Sequence, residues 1–180
     1  MFRTDTTQQK APDLPKGFTW LNTDVPLSLE KLKGHVVVID FWTYCCINCM
    51  HTLPDLEWIE KNYQNQPVVI IGVHSAKFYN EQEADNIKEA IGRYEIGHPV
   101  VVDRDMSIWR SYNVGGWPTI VVLDPKGSIA YQQSGEGQRE NLDDVISVLL
   151  ERHGRLGTLE SRRPGRQNYT IELALGSCSP

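Results

Sequence analysis

Short apolar runs and longer amphipathic stretches alternate along the first two-thirds of the chain. Two runs rich in β-branched residues, HVVVIDFW (35–42) and PVVIIGVH (67–74), have the length and composition of buried β-strands. Apolar residues recur at helical spacing in MHTLPDLEWIEKNY (50–63) and EADNIKEAIGRYEIG (83–97), which predicts two helices. Strands that alternate with helices predict an α/β fold with a parallel sheet covered on both faces.

The later part of the chain adds antiparallel strands and a final helix. An apolar stripe over 142–154 predicts that helix, with Asn141 as its N-cap and Gly154 as its end. The remaining predicted elements are an edge strand at 18–22, a strand at 98–103, a short helix at 106–114 and an antiparallel hairpin at 118–133. The predicted organisation is a mobile segment at 1–13, one domain at 14–154 and a mobile tail at 155–180.

The composition narrows the function classes. A hydrophobic content of 40% is typical of a globular domain, and 180 residues suffice for one well-buried core. The net charge of −5 argues against binding to nucleic acid or to an anionic membrane. No apolar run approaches the roughly 20 residues that span a bilayer, and the first residues lack the apolar stretch of an export signal. We therefore expect a cytoplasmic protein that binds neither membrane nor nucleic acid.

Three cysteines lie within five positions where the first buried strand gives way to a helix. Cys46 is at the predicted helix start, where unpaired N–H groups and the helix dipole stabilise a thiolate, the nucleophilic form of cysteine. Cys49 lies one helical turn farther on, so its sulfur can reach that of Cys46 and resolve a mixed disulfide. The spacing favours a redox dithiol, and two buried structural cysteines are the alternative.

Two further residues fit a redox site. Asp40 lies inside an apolar strand, where a carboxylate is costly unless it is protonated or exchanges a proton. We predict that burial raises the pKa of Asp40 and that it serves as the base for Cys49. A hydrogen-bonded, purely structural Asp is the alternative. Pro118 immediately precedes a predicted strand, which favours a cis bond between Trp117 and Pro118.

These motifs together resemble the thioredoxin superfamily. The resemblance rests on VVIDFWTYCCINCMHTLP (37–54) and GGWPTIVVLDPKG (115–127), and it covers roughly Leu14 to Arg152. The stretch between His74 and Val102 is similar to the insertion of the TlpA/ResA-like and peroxiredoxin-like branch. FWTYCCINCMHTLPDLEWIE, VIIGVHSAKF and SGEG are similar to the thioredoxin-like domain of NHL-repeat-containing proteins.

The resemblance implies a thioredoxin-like fold: a central mixed sheet with a late antiparallel hairpin, helices on both faces and an extra strand–helix insertion. It also implies a thiol–disulfide oxidoreductase that acts on protein or small-molecule disulfides and dithiols, as a monomer or as a domain of a larger protein. The expected catalytic residues are Cys46, Cys49 and Asp40, and the expected substrate groove contains Trp42, Trp117 and Pro118. The redox-active disulfide needs no bound cofactor.

The chain departs from simple thioredoxins at three positions. Ile47 and Asn48 stand where those proteins have Gly-Pro, so the redox potential cannot be inferred from the resemblance. Cys45 replaces a tryptophan. We predict that Cys45 is an auxiliary thiol at the rim of the groove, and a small space-filling residue is the alternative.

Two other functions fit parts of the pattern. Cys45 and Cys49 have the C-x-x-x-C spacing of Sco-like copper proteins, and His51 or His74 would complete a thiolate site for Cu(I). Adjacent residues seldom direct their side chains to one centre, so we expect no metal site. A docking module with incidental cysteines, which uses Trp42, Tyr44 and Trp117 for recognition, is the other alternative.

Overall fold

A computed structural model describes residues 9–160. The strands are β1 (Trp20–Leu21), β2 (Val36–Trp42), β3 (Val68–His74), β4 (Val100–Val102), β5 (Thr119–Leu123) and β6 (Ile129–Ser134). The helices are α1 (Ile47–Asn62), α2 (Ala84–Arg93), α3 (Ser107–Ser111) and α4 (Arg139–Arg155), with a short 3₁₀ helix at Tyr79–Gln82. Cys178 and the other residues of 161–180 lie outside the described residues.

The six strands form one mixed sheet in the order β1-β4-β3-β2-β5-β6. Strands β2, β3 and β4 are parallel, because helices connect them. Strands β5 and β6 form the antiparallel hairpin at one edge, and β1 pairs antiparallel with β4 at the other. This arrangement confirms the predicted α/β class and thioredoxin-like fold, including the edge strand near Trp20.

Both faces of the sheet are covered, which explains why its central strands are apolar throughout. On one face, Val36 and Val38 pack against α1 and α4 through Leu56 and Leu142. On the other face, Phe41 contacts Trp109 of α3 edge-on, with ring centroids 6.2 Å apart. Burying a side chain such as that of Leu56, Leu142 or Phe41 contributes about 1.5–3 kcal/mol to the stability of the fold.

The ends of α4 differ from the prediction. The N–H of Leu142 bonds to the carbonyl of Gln138, so the chain is already helical at Asn141, and the predicted cap is wrong. At the other end, Gly157 adopts a left-handed φ of 63° and its N–H bonds to the carbonyl of Gly154. Gly154 is therefore inside the helix, and Gly157 is the glycine that lets the chain turn away.

The described residues on either side of 14–154 also contact the sheet. Ala11 is buried, and its N–H donates to the carbonyl of Gly127. Beyond α4, the N–H of Glu160 donates to the carbonyl of Gly34. The boundaries at 14 and 154 stay predictions. Within the described part of the chain, no helix combines the length and the apolar character that a membrane crossing requires.

Candidate active site

The dithiol lies where β2 passes into α1. Cys46 has extended backbone angles, φ −102° and ψ 110°, and acts as the N-cap of α1. Its Sγ accepts a hydrogen bond from the N–H of Cys49 at 3.3 Å. This N–H is one of the unpaired donors of the first helical turn, and such donors stabilise a thiolate. The predicted position of Cys46 at the helix start is confirmed.

Cys49 differs sharply from Cys46 in its surroundings. It is 1% exposed, in a cluster with Trp42 and Ile87. Burial raises the pKa of Cys49, and a hydrogen bond with Cys46 raises it further. Cys45, Cys46 and Cys49 are all free thiols in this structure. The pair thus combines one sulfur at the helix start with one buried thiol that needs a base before it can react.

Asp40 supplies a carboxyl group beneath the pair. Its side chain is 1% exposed, and neither carboxyl oxygen has a hydrogen-bond partner among residues 9–160. Burial raises the pKa of Asp40 from an ordinary value near 3.8 to about 7, although the charge of His98 opposes the rise. The predicted direction is confirmed. A carboxyl group with this pKa changes protonation state near neutral pH, as a general base there requires.

The loop before β5 borders the dithiol from another side. The Trp117–Pro118 bond is cis, as predicted. Trp117 is half-buried, and its Nε1–H donates to the carbonyl of Ser75 at 3.0 Å. Its ring packs on Trp109 and contacts the cluster that contains Cys46 and Cys49. Trp117 is therefore placed beside the dithiol, whereas Pro118 is buried, and the role of both residues in a substrate groove stays a prediction.

Trp42, the third residue of the predicted groove, is buried. Its side chain is fully buried, and its ring contacts His74 edge-on at a centroid distance of 5.0 Å. Its place in β2 points it to the same side of the sheet as Asp40, under the start of α1. Trp42 therefore has no exposed side-chain surface in this structure, and its role in a substrate groove stays a prediction.

Glu81 organises the loop that carries Cys45, a role that the sequence did not predict. Its carboxylate is fully buried and accepts hydrogen bonds from the Thr43 hydroxyl at 2.7 Å and the Cys45 N–H at 3.1 Å. The N–H groups of Lys77 and Phe78 donate to its other oxygen. Burial alone would raise the pKa of Glu81, but these hydrogen bonds hold it below its usual value. The carboxylate thus joins the Cys45 turn to the 3₁₀ helix.

Cys45 itself lies at the surface beside this carboxylate. The residue as a whole is exposed, as expected for the rim. Partial burial of the thiol and its hydrogen bond to Glu81 raise the pKa of Cys45 to about 11. Cys45 is therefore a neutral thiol at pH 7.

The histidines considered for a metal site point elsewhere. The Nδ1 of His51 lies 2.6 Å from Oε2 of Glu136, and both side chains are about half exposed. His74 is buried and stacks on Tyr44, and burial lowers its pKa to about 4. Among residues 9–160, no group of three or more histidine, cysteine, aspartate or glutamate side chains is placed to hold a metal ion.

The comparisons with known proteins agree with the thioredoxin-like fold. The family model for thioredoxin-like proteins matches residues 34–129. Human NHL repeat-containing protein 2 is 46% identical over 164 residues, which are 90% of this chain. The thiol-disulfide oxidoreductase YkuV of Bacillus subtilis is 26% identical over 144 residues, which are 79% of this chain and 95% of that protein. A solved thiol-disulfide isomerase from Corynebacterium glutamicum, 30% identical, superposes with a TM-score of 0.70 over 78% of this chain and 96% of its own.

Some of these relatives are much longer. The chain spans 23% of human NHL repeat-containing protein 2. It spans 15% of protein SUPPRESSOR OF QUENCHING 1 of Arabidopsis thaliana, to which it is 50% identical over 86% of this chain. The matched residues include β2, the dithiol, Asp40 and the cis-proline loop. The resemblance to the thioredoxin superfamily and to NHL-repeat-containing proteins is confirmed, and the chain belongs to the thioredoxin-like family.

Proposed function

We propose that this domain is a thiol–disulfide oxidoreductase in which Cys46 attacks and Cys49 resolves. The observation that carries the proposal is the asymmetry of the pair: the sulfur of Cys46 accepts a helix N–H, whereas Cys49 is buried above Asp40. Relatives named as thiol-disulfide oxidoreductases support the same reaction class.

The reaction proceeds in two exchanges. The thiolate of Cys46 attacks a substrate disulfide, forms a mixed disulfide and releases one substrate sulfur as a thiolate. Asp40 then takes the proton of the Cys49 thiol, and the Cys49 sulfur attacks that of Cys46. The bond between Cys46 and the substrate breaks, and the second substrate sulfur leaves as a thiolate that takes a proton from water. The substrate gains two electrons, and the domain is left with a Cys46–Cys49 disulfide.

An external dithiol of protein or small-molecule type would return the domain to its reduced state by the reverse sequence. The reaction uses only the two sulfurs of the pair for electron transfer, so the proposal includes no bound cofactor. The direction of net electron flow depends on the reduction potential of the pair relative to its partners.

The surroundings of Cys46 support a protein substrate. Ile47, directly after Cys46, is 66% exposed, and Phe78 and Tyr79, near Glu81, are 54% and 85% exposed. The ammonium group of Lys77 lies 5.6 Å from the Phe78 ring centroid and 6.0 Å from that of Trp117. The loop that carries Lys77 and Phe78 and the loop before β5 that carries Trp117 therefore border a common space. An extended peptide with apolar side chains fits such a surface.

An insulin-reduction assay with dithiothreitol as the reductant tests the proposal. Wild-type protein is expected to accelerate insulin precipitation. Cys45→Ser is expected to retain at least about half of this activity, because the serine hydroxyl can keep the hydrogen bond to Glu81 and the exposed rim tolerates the change. Wild-type protein that reduces insulin no faster than dithiothreitol alone would favour the docking-module alternative. Loss of activity in Cys45→Ser would instead implicate a Cys45–Cys49 pair.

A further inference from the structure

Asp40 has no direct path to water, although its proposed role requires one proton to leave it in every cycle. In the register of the sheet, Asp40 pairs with Gly72 of β3, so the two residues share a face. A Cβ atom at Gly72 would lie 3.0 Å from Nε1 of Trp42 and 3.4 Å from Nε2 of His98. The glycine therefore leaves the space in which the His98 ring approaches the face that carries Asp40.

His98 itself is a buried polar group without a structural explanation. It is 4% exposed, and neither ring nitrogen has a hydrogen-bond partner within residues 9–160. Burying a polar group without a hydrogen-bond partner destabilises a fold. Its Nδ1 lies 3.3 Å from Oε1 of Glu60, an ion-pair distance when the ring is protonated.

Glu60 connects this ring to solvent. Its side chain is 30% exposed. Together with His98 it lines an open cleft between α1 and the loop that follows α2, where Glu57 and Glu95 add further carboxylates. The imidazole ring therefore approaches the sheet face that carries Asp40 on one side and a carboxylate that reaches water on the other.

We propose that His98 is a positioning residue that carries protons between Asp40 and Glu60, and that the cleft is the proton exit of the active site. The proposal rests on the proposed disulfide exchange, because only that reaction loads Asp40 with a proton from Cys49. Because neither Asp40 nor His98 has a hydrogen-bond partner in residues 9–160, the relay requires the imidazole ring to move toward Asp40. The proton of Asp40 then passes to Nε2, the proton on Nδ1 passes to the Glu60 carboxylate, and Glu60 releases it to water. The return of the imidazole to its first tautomer completes the cycle with no net change in the protein.

The charges around Asp40 determine whether the loss of His98 raises or lowers the pH at which Asp40 titrates. The titratable groups that interact with it are Cys49 of α1 and His98 of the loop before β4, and His98 in turn faces Glu60. Thiolates oppose ionisation of Asp40, whereas the imidazolium form of His98 favours it. Loss of the imidazole should therefore raise the pH at which Asp40 titrates.

Two variants and one matched control test the route. His98→Gln keeps a polar side chain of similar length but cannot carry a proton, and Glu60→Gln removes the acceptor at the cleft. Glu57→Gln removes the same charge from the same cleft at a side chain that is 59% exposed and pairs with Lys61 rather than with His98. The readouts are the ¹³C NMR titration of the Asp40 carboxyl group in the reduced protein and the rate at which a preformed Cys46 mixed disulfide is resolved across pH 5–9.

We expect His98→Gln to move the Asp40 titration to higher pH and to slow resolution at pH 7 about tenfold, with the rate of the first attack unchanged. Glu60→Gln is expected to slow resolution in the same way, and Glu57→Gln to match wild type in both readouts.

An unchanged Asp40 titration in His98→Gln, or wild-type resolution in Glu60→Gln, would overturn the proposal. If His98→Gln does not fold, Glu60→Gln still decides it. If the wild-type protein shows no disulfide exchange, the proposed function is wrong. The NMR titration would still test the coupling between His98 and Asp40.

Discussion

Cys46→Ser is expected to reduce disulfide-exchange activity at least about a thousandfold, because a serine hydroxyl does not ionise near neutral pH and cannot form the mixed disulfide. The sulfur of Cys46 is the one at the N-cap of α1, where it accepts the N–H of Cys49. Serine is itself a good N-cap residue, so the helix should form normally and the loss should be chemical.

Cys49→Ser should behave differently, because it keeps the attacking sulfur and removes the resolving one. With a disulfide substrate, this variant should accumulate a mixed disulfide through Cys46 that intact-protein mass spectrometry detects as an added substrate mass. Cys45→Ser is the matched control and should accumulate none. Accumulation through Cys45, or equal inactivity of Cys45→Ser and Cys46→Ser, would show that the pair has been assigned wrongly.

Asp40→Asn should stabilise the fold markedly at alkaline pH. The pKa of Asp40 is about 7 in the folded protein and near 3.8 when exposed. Below pH 4 the carboxyl is protonated in both the folded and the unfolded state. Between pH 4 and 7 only the unfolded state releases the proton, so the free energy of unfolding falls as the pH rises through this window. Above pH 7 the free energy of unfolding has fallen by its full amount, on the order of 4 kcal/mol. Asparagine avoids this loss of stability because it cannot ionise.

Urea unfolding at pH 4 and pH 8 measures this effect. Wild type and Asp40→Asn should be nearly equal in stability at pH 4, and the variant should be the more stable protein at pH 8. Asp24→Asn, at an exposed loop position, serves as a control for the loss of a carboxylate and should match wild type at both pH values. The same difference at both pH values would mean that ionisation of Asp40 is not the cause. In exchange assays, Asp40→Asn should slow the resolution step at pH 7 and leave the first attack nearly intact.

The features that the sequence predicted well depend on local pattern. The β-branched run around Ile39 predicts a strand that is buried on both faces of the sheet, and β2 is such a strand. A proline directly before a strand predicts the cis bond at Pro118. The placement of Cys46 follows from the change in periodicity from strand to helix. These signals lie within a few residues of the feature that they predict.

The features that the sequence did not reveal depend on contacts between distant segments. Glu81 stands in a polar loop, and nothing in its neighbours indicates that its carboxylate is buried against the Cys45 turn. His98 precedes a strand and acquires its role only because Gly72, 26 positions earlier, leaves room for its ring. The burial of Trp42 is not visible in the sequence, because an aromatic residue beside a dithiol has the same pattern whether its ring is exposed or buried.

The central claim is that Cys46 and Cys49 form one redox-active pair. A redox titration in glutathione buffers, with alkylation at each potential and fragment sequencing of the peptide that contains all three cysteines, tests it most directly. The account predicts a single two-electron transition in which Cys46 and Cys49 together become inaccessible to the alkylating reagent, while Cys45 remains a free thiol throughout. Alkylation of both Cys46 and Cys49 at every potential, or a disulfide that includes Cys45, would contradict it.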